Sequence, residues 1–278
     1  MDIRGDLMHK HERHTAILDQ LSRVEFLSVE EAAELLHVSA ATIRRDFNEL
    51  AERALADRAR GGLCRTRTSL RGMVPFAFRE NQFLREKVAL AETAVSLLSI
   101  GDVLFVDGGT TTFQMARFLT SISVRCITTS LHLARALGEG PRGASSAEVF
   151  LTGGYLYPQT GLLIGPQAKA NLAQYHANWA FISVAAISED GIFNSNELVV
   201  ENEQGMITNA DRTVILADHT KLDKRSMCRI CGLDQVSILI TNATEDQQPF
   251  LDAVQNRGVE VITVGMAVSP VADGAVTA

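Results

Sequence analysis

Aromatic residues are scarce in this 278-residue chain, at 6% with a single tryptophan. A core built without them rests on Ala, Val, Ile and Leu. Four cysteines in such a length are too few for a disulfide scaffold, which makes a reducing cytoplasm the expected setting. No apolar run approaches the roughly 18 residues that span a bilayer, so no membrane partner is expected. The opening residues MDIRGDLMHKHERH hold no apolar stretch and do not read as a signal peptide. Composition is not skewed toward collagen, low complexity or disorder either, since 46% of residues are hydrophobic and 21% charged. The expectation is a soluble cytoplasmic protein, long enough for two domains.

Metal-ligand spacing is also missing. Cys228 and Cys231 form one C-x-x-C without a second pair, and Cys64 and Cys126 are remote, so all four read as structural cysteines. His9, His11 and His14 have no acidic or cysteine partner at ligand spacing and read as solvated. Neither a metal nor a cofactor is expected.

What the chain does have is an uneven distribution of charge. The net charge is −7, but residues 1–72 carry 12 basic and 12 acidic groups, leaving 14 and 21 for residues 73–278. Within residues 39–72, eight arginines (44, 45, 53, 58, 60, 65, 67 and 71) face four acids, a net of +4. A patch of this kind suits phosphate contacts, although a solvated helix face has the same composition.

Periodicity divides the chain. Ile17, Leu18 and Leu21 share a face of a first helix over 11–22. Ser28 and Glu31 form a capping box that opens a second helix with Val29, Ala32, Ala33 and Leu36 at helical spacing. Ser39 caps a third helix that buries Ile43, Phe47 and Leu50. Two helices joined so briefly form a helix-turn-helix. Residues 55–65 then alternate around Gly61-Gly62, read as the turn of a small wing. A winged helix-turn-helix is thus expected over 9–66, a linker over 67–79, an α/β domain over 80–265 and a flexible tail over 266–278. In the α/β part, Leu84, Val88, Ala91, Val95 and Leu98 make one helical stripe. Strand-like runs follow at 103–106, 124–128, 148–152, 179–184, 213–217, 236–241 and 259–264, with helices between most of them. Such alternation predicts an open, mostly parallel sheet covered by helices.

The third helix carries Ala41, Arg45 and Asn48 opposite its apolar stripe, with Thr42 and Arg44 on the flanks near its start. Small Ala40 and Ala41 permit close backbone approach, as a helix entering the major groove requires. Arginine reads guanine or holds phosphate, and the sequence leaves both open. Residues 28–62 resemble the DNA-binding domain of the DeoR family of bacterial transcriptional regulators. The matching residues are Val29 to Ala33, Val38-Ser39, Thr42-Ile43-Arg44-Arg45-Asp46, Asn48-Glu49-Leu50, Glu52-Arg53 and Gly61-Gly62. Ala54 stands where the family usually has glycine, and Arg60 where it often has histidine. The resemblance implies double-stranded operator DNA as partner, with Ser28, Ser39, Ala40, Ala41, Thr42, Arg44, Arg45, Asn48, Arg58 and Arg60 as contacts. One such helix reads a half-site, so self-association as a homodimer or larger is expected.

In the second domain a strand at 103–106 runs into Asp107, Gly108, Gly109, Thr110, Thr111 and Thr112. Glycines at positive φ, hydroxyls and a helix N-terminus together suit an anion. The loop lacks the Gly-Lys-Ser/Thr of a P-loop and is not G-x-G-x-x-G. Thr129 and Ser130, Gly153 and Gly154, and Asp218 and Lys221 follow other strands, where ligands collect in open α/β sheets. Lys221 is the cation best placed to hold an anion. Most of residues 74–265 resembles the effector domain of the same family, related in fold to ribose-5-phosphate isomerase. The order Phe76, Arg79, Lys87, Asp107 to Thr112, Thr128 to Leu131, Gly153-Gly154, Gly161, Gly165, Ala180-Phe181, Asp190-Gly191, Asp218 and Lys221 carries it. Thr129 replaces a common asparagine, and the Asp107-Gly108 lead-in departs slightly from the family's Asp-Ser-Gly. The implied effector is a phosphorylated sugar. The expected function is a regulator, leaning to a repressor of a sugar or polyol operon, and not an enzyme. The alternative is a phosphosugar isomerase-like enzyme with an accessory DNA-binding domain, using Glu197, Glu201 and Asp218 as acid/base groups.

Overall fold

Capping and apolar spacing set the N-terminal elements of the computed structural model, which describes residues 10–24, 26–52, 55–64, 76–139, 147–157 and 160–265. Helix α1 (Lys10–Arg23) leads to a short strand β1 (Phe26–Ser28), whose last residue caps α2 (Val29–Leu36). The Ser28 hydroxyl accepts from Glu31 N, and Glu31 Oε2 accepts from Ser28 N at 2.8 Å, completing the capping box. Helix α3 (Ala40–Glu52) starts where Ser39 Oγ accepts from Thr42 N at 3.2 Å. Ile17, Leu21, Ala32, Ile43, Phe47, Leu50 and Leu63 close one core under these helices.

The wing is larger than the sequence reading. Strands β2 (Asp57–Ala59) and β3 (Gly62–Cys64) pair antiparallel, and β1 adds to β3, giving the order β1-β3-β2. Ala59 pairs with Gly62, so the turn is Arg60-Gly61 and not Gly61-Gly62. Gly61 has φ +82°, while a Cβ on Gly62 would lie 2.4 Å from the Leu27 carbonyl oxygen. Helix α4 (Phe76–Glu80) occupies part of the expected linker; residues 67–75 and the expected tail at 266–278 lie outside the described residues.

The chain divides into compact units at Met1–Gln82 and Phe83–Ala278. In chain order the second unit comprises α5 (Leu84–Ser96), β4 (Val103–Val106), α6 (Ala116–Leu119), β5 (Arg125–Thr128), α7 (Leu131–Gly138) and β6 (Glu148–Leu151). A hairpin of β7 (Tyr155–Tyr157) and β8 (Leu162–Ile164) follows, then α8 (Pro166–Leu172) and β9 (Ala177–Ser183). Next come β10 (Ala186–Ser188), β11 (Gly191–Asn194), α9 (Glu197–Thr208), β12 (Ala210–Ala217) and β13 (Cys228–Cys231). The unit closes with β14 (Ile238–Thr241), α10 (Gln248–Gln255) and β15 (Glu260–Thr263).

Seven strands form one sheet in the order β15-β14-β12-β9-β4-β5-β6, and every pairing is parallel. Each of the seven expected strand runs is one of these strands. Alternation sorts the side chains: Leu104, Val106, Phe181, Val214 and Leu216 face α5, α6 and α7, while Phe105, Ala180, Ile182 and Ile215 face α8, α9 and α10. Helix α5 buries Lys87, Leu90, Ala91 and Ala94. The expected stripe was therefore rotated, since Leu84, Val88, Val95 and Leu98 are only half-buried. From β4 the chain winds outward to β5 and β6, then restarts at β9 on the other side of β4. The order reverses between β4 and β9, and that is where open α/β sheets form a crevice at the carboxyl ends.

Candidate functional site

On the N-terminal unit, burial of Ile43, Phe47 and Leu50 turns the opposite side of α3 to solvent. Ser39, Ala41, Arg44, Arg45 and Asn48 are exposed, and Ala40 and Thr42 half-buried. Arg60 is exposed at the wing turn, whereas Ser28 is engaged in capping. Arg58 reaches back, donating to the Gly62 carbonyl at 3.3 Å with its guanidinium 6.0 Å from the Phe47 ring centre. It braces the wing against α3.

The helix is fixed by an ion pair that periodicity alone did not show. Asp46 is buried on α3 and accepts from Arg13 Nε at 2.8 Å and Nη2 at 3.1 Å. His14, read as solvated, is buried with Nε2 3.2 Å from Asp46 Oδ1. Burial lowers its pKa despite the neighbouring carboxylate. Sequestering Asp46 removes one acid from the face that carries Arg44 and Arg45.

In the C-terminal unit the 107–112 loop leaves β4 at the reversal point. The Asp107 carboxylate accepts from Ser183 Oγ, at the end of β9, at 2.8 Å, from Gly109 N at 3.3 Å, and from Thr112 Oγ1. Burial raises its pKa, and these three donors oppose the rise. Glycine at 108 and 109 is not a matter of positive φ, as the sequence reading held; neither residue has one. Room is the reason. A Cβ on Gly109 would lie 1.6 Å from Ser183 Oγ, and one on Gly108 would lie 1.8 Å from Leu162 Cδ2.

The helix expected after the loop is a 3-10 turn at Thr112–Met115 running into the four residues of α6. A long helix dipole is therefore not what the loop offers. Its donors are local: among the described residues, the N–H groups of Thr110 and Thr111 donate to no protein acceptor. Lys87, buried on α5, donates from Nζ to Thr110 Oγ1 at 3.0 Å. Thr129 and Ser130 extend the site from β5. Thr129 accepts from Leu163 N at 2.8 Å through its carbonyl, Ser130 Oγ caps α7, and a Cβ on Gly108 would be 3.2 Å from Ser130 Cβ.

The remaining candidates lie farther out along the carboxyl edge. Gly153 and Gly154 follow β6, with Gly154 packed closely against Ile164 and Ala168. Asp218 follows β12 and caps the 3-10 turn His219–Lys221, accepting from Thr220 N at 3.0 Å. Strand β9 separates β12 from β4, so Lys221, read as the cation best placed to hold an anion, does not follow a strand next to the loop's own. Lys87 is the cation bonded to the loop. It was legible only as part of the family resemblance, because a lysine inside a helical stripe reads as surface. Ser183, Asn194, Asn202 and Glu203 were also missed. Of the acid/base candidates, Glu197 and Glu201 are exposed and Asp218 is committed to its cap. The thiols of Cys126 and Cys231 are both pushed up to about 12, chiefly by burial, which leaves them protonated and inert.

Two family models match. Residues 13–68 match the DeoR-like helix-turn-helix domain, and residues 82–243 the DeoR C terminal sensor domain. Among curated relatives, the HTH-type transcriptional repressor GlcR of Bacillus subtilis is 32% identical over 92% of this chain and 96% of its own length. The HTH-type transcriptional regulator GlpR of Haloferax volcanii is 33% identical over 90% and 96%. UlaR of Shigella sonnei, likewise named an HTH-type transcriptional regulator, is 28% identical over 92% and 100%. A solved ribose 5-phosphate isomerase from Methanocaldococcus jannaschii is similar over 51% of this chain and 55% of its own, at 20% identity. The TM-score of that match is 0.35. With both of its units matched, and relatives aligned over nearly their full length, the chain belongs to the DeoR family of transcriptional regulators.

Proposed function

We propose that this regulator represses a sugar or polyol catabolic operon in the cytoplasm, and that a phosphorylated sugar bound at the 107–112 loop alters its affinity for operator DNA. The observation that carries the reading is the pair of unpartnered amides at Thr110 and Thr111 beside the buried Lys87 ammonium. Backbone N–H groups with one fixed cation are what a phosphate dianion requires. Gly108 and Gly109 let the loop pack against Leu162 and Ser183, which fixes where its amides stand. Thr129 and Ser130 adjoin the loop, Gly153, Gly154, Asp218 and Lys221 lie farther out along the same edge, and these six complete the ligand site.

On the DNA side, Ala40, Ala41, Thr42, Arg44, Arg45 and Asn48 enter the major groove, with Ser28, Ser39, Arg58 and Arg60 at the backbone. A homodimer supplies the second half-site reader. The DNA-binding domain is assigned to 9–66, the linker to 67–79, the sensor to 80–265 and the tail to 266–278.

Ligand binding shifts DNA affinity only by its differential affinity for two arrangements of the protein. A coupling of about 1–3 kcal/mol changes operator affinity roughly 5–150-fold. Calorimetry of the intact chain with hexose and pentose phosphates and the matching free sugars tests the assignment. Phosphates should bind and free sugars should not, and Lys87→Met should remove the difference. Equal binding of free and phosphorylated sugar would overturn it.

A further inference from the structure

The loop that suits a phosphate has buried acids beside it that a phosphate does not need. Helix α9 turns Asn202 and Glu203 inward, leaving them 3% and 1% exposed. Asn202 Nδ2 donates to the Leu163 carbonyl at 2.8 Å, and the preceding residue, Leu162, lies over Gly108. Strand β8 thus links this face of α9 to the 107–112 loop, and Glu203 is close enough to feel the charge of Asp107. Glu203 Oε1 accepts from Asn194 Nδ2 at 2.6 Å. Its second oxygen, Oε2, and Asn202 Oδ1 are buried with no partner. Asn202 Oδ1 is an acceptor, and Glu203 Oε2 is one once the carboxyl ionises, so the ionised site is short of donors. No described residue forms an ion pair with Glu203. Burial, and then the charge of Asp107, hold its pKa well above the ordinary carboxylate range.

Three kinds of ligand group could meet Glu203 Oε2. An anion supplies no donor to Oε2 and disfavours ionisation of Glu203 further. A neutral hydroxyl supplies a donor but no charge against which the Glu203 carboxyl could ionise. A protonated amine supplies the donor and the charge together, in the stronger class of hydrogen bond. Asp107, already holding three donors, reinforces the preference for positive charge without competing for the ligand.

We propose that Glu203 is a specificity-determining residue whose free Oε2 receives an ammonium group, so that the effector is an amino-sugar phosphate. Its phosphate rests on the Thr110 and Thr111 amides and Lys87, and its amine on Glu203. The inference rests on the phosphate reading of the loop.

Calorimetry of the intact chain near neutral pH with glucosamine 6-phosphate, glucose 6-phosphate and N-acetylglucosamine 6-phosphate tests it. The amine should bind at least about tenfold more tightly than the hydroxyl sugar, and the uncharged acetamide no better than the hydroxyl. Glu203→Gln keeps the acceptor for Asn194 and replaces Oε2 with an amide nitrogen. It should retain glucose 6-phosphate binding, which also reports that the variant is folded, and bring amine and hydroxyl sugars to about equal affinity. Wild-type protein that does not prefer the amine overturns the proposal without recourse to any variant. So does a preference that survives in Glu203→Gln. If none of the three phosphates binds, the phosphate reading itself fails and this inference with it; binding of all three without preference overturns the inference alone.

Discussion

Removing Asp46 tests whether the DNA-reading helix is held by charge as well as by its apolar stripe. Asp46→Ala deletes two hydrogen bonds from Arg13, whose side chain is 13% exposed, and one contact to the 6% exposed His14. The guanidinium then loses its buried carboxylate partner and keeps the longer-range charge of Glu49. Breaking one partner of a buried pair costs about 3–5 kcal/mol, several times the roughly 0–1 kcal/mol of an exposed pair. A domain of this size has a stability near the low end of about 5–15 kcal/mol, so the loss is a large share of the whole. Hydrogen exchange of the α1 and α3 amides in the intact chain reads the opening directly. Exchange should accelerate by about two to three and a half powers of ten. The control is Arg13→Met with Asp46→Leu, where neither charge is left buried; most of the protection should return. Less than tenfold acceleration in Asp46→Ala, or no recovery in the double variant, would refute the reasoning.

Other outcomes follow from the same geometry. His14 has its pKa lowered by burial, so between the folded value and the unfolded value of about 6.5 the unfolded chain binds more protons. That stability is present above about pH 6.5 and is lost as pH falls, and His14→Gln should flatten protection of the N-terminal unit over about pH 5 to 7. Gly109→Ala places a methyl 1.6 Å from Ser183 Oγ and 2.8 Å from Ser183 Cβ, and rotation of the serine hydroxyl relieves only the first. Overpacking should cost about 1–3 kcal/mol in denaturant titrations and weaken sugar-phosphate binding, whereas an unperturbed variant would place the loop wrongly. Arg45→Ala should cost about 1–3 kcal/mol of operator affinity and relax base preference, while Arg60→Ala should weaken all sequences alike and reduce the salt slope by about one. Operator titrations at two salt concentrations distinguish them.

The central sheet was readable because its strands are short β-branched and apolar runs, buried on both faces, as at 103–106 and 236–241. The β7–β8 hairpin was not, since Tyr155 and Leu156 are exposed and break the buried pattern. Helix α9 was hidden for the opposite reason: Asn202 and Glu203 are as buried as Val199 and Val200, so polarity no longer marks its outer face. The capping box at Ser28 and the α3 stripe were legible because both are local. The partners of Asp46, Lys87 and Ser183 were not, because each contact spans 23 to 76 residues of chain. The glycine pair at 108 and 109 was recognised for a different reason from the one it serves, since crowding by Leu162 and Ser183 exists only once the sheet has formed.

The most direct test of the account is an operator titration of the intact chain, at fixed salt, with a panel of sugar phosphates and their dephosphorylated counterparts. At least one phosphate should shift operator affinity by about 5–150-fold, its free sugar should not, and Lys87→Met should keep ligand-free DNA binding while losing the response. An equal shift from the free sugar, or an unaltered response in Lys87→Met, would contradict it.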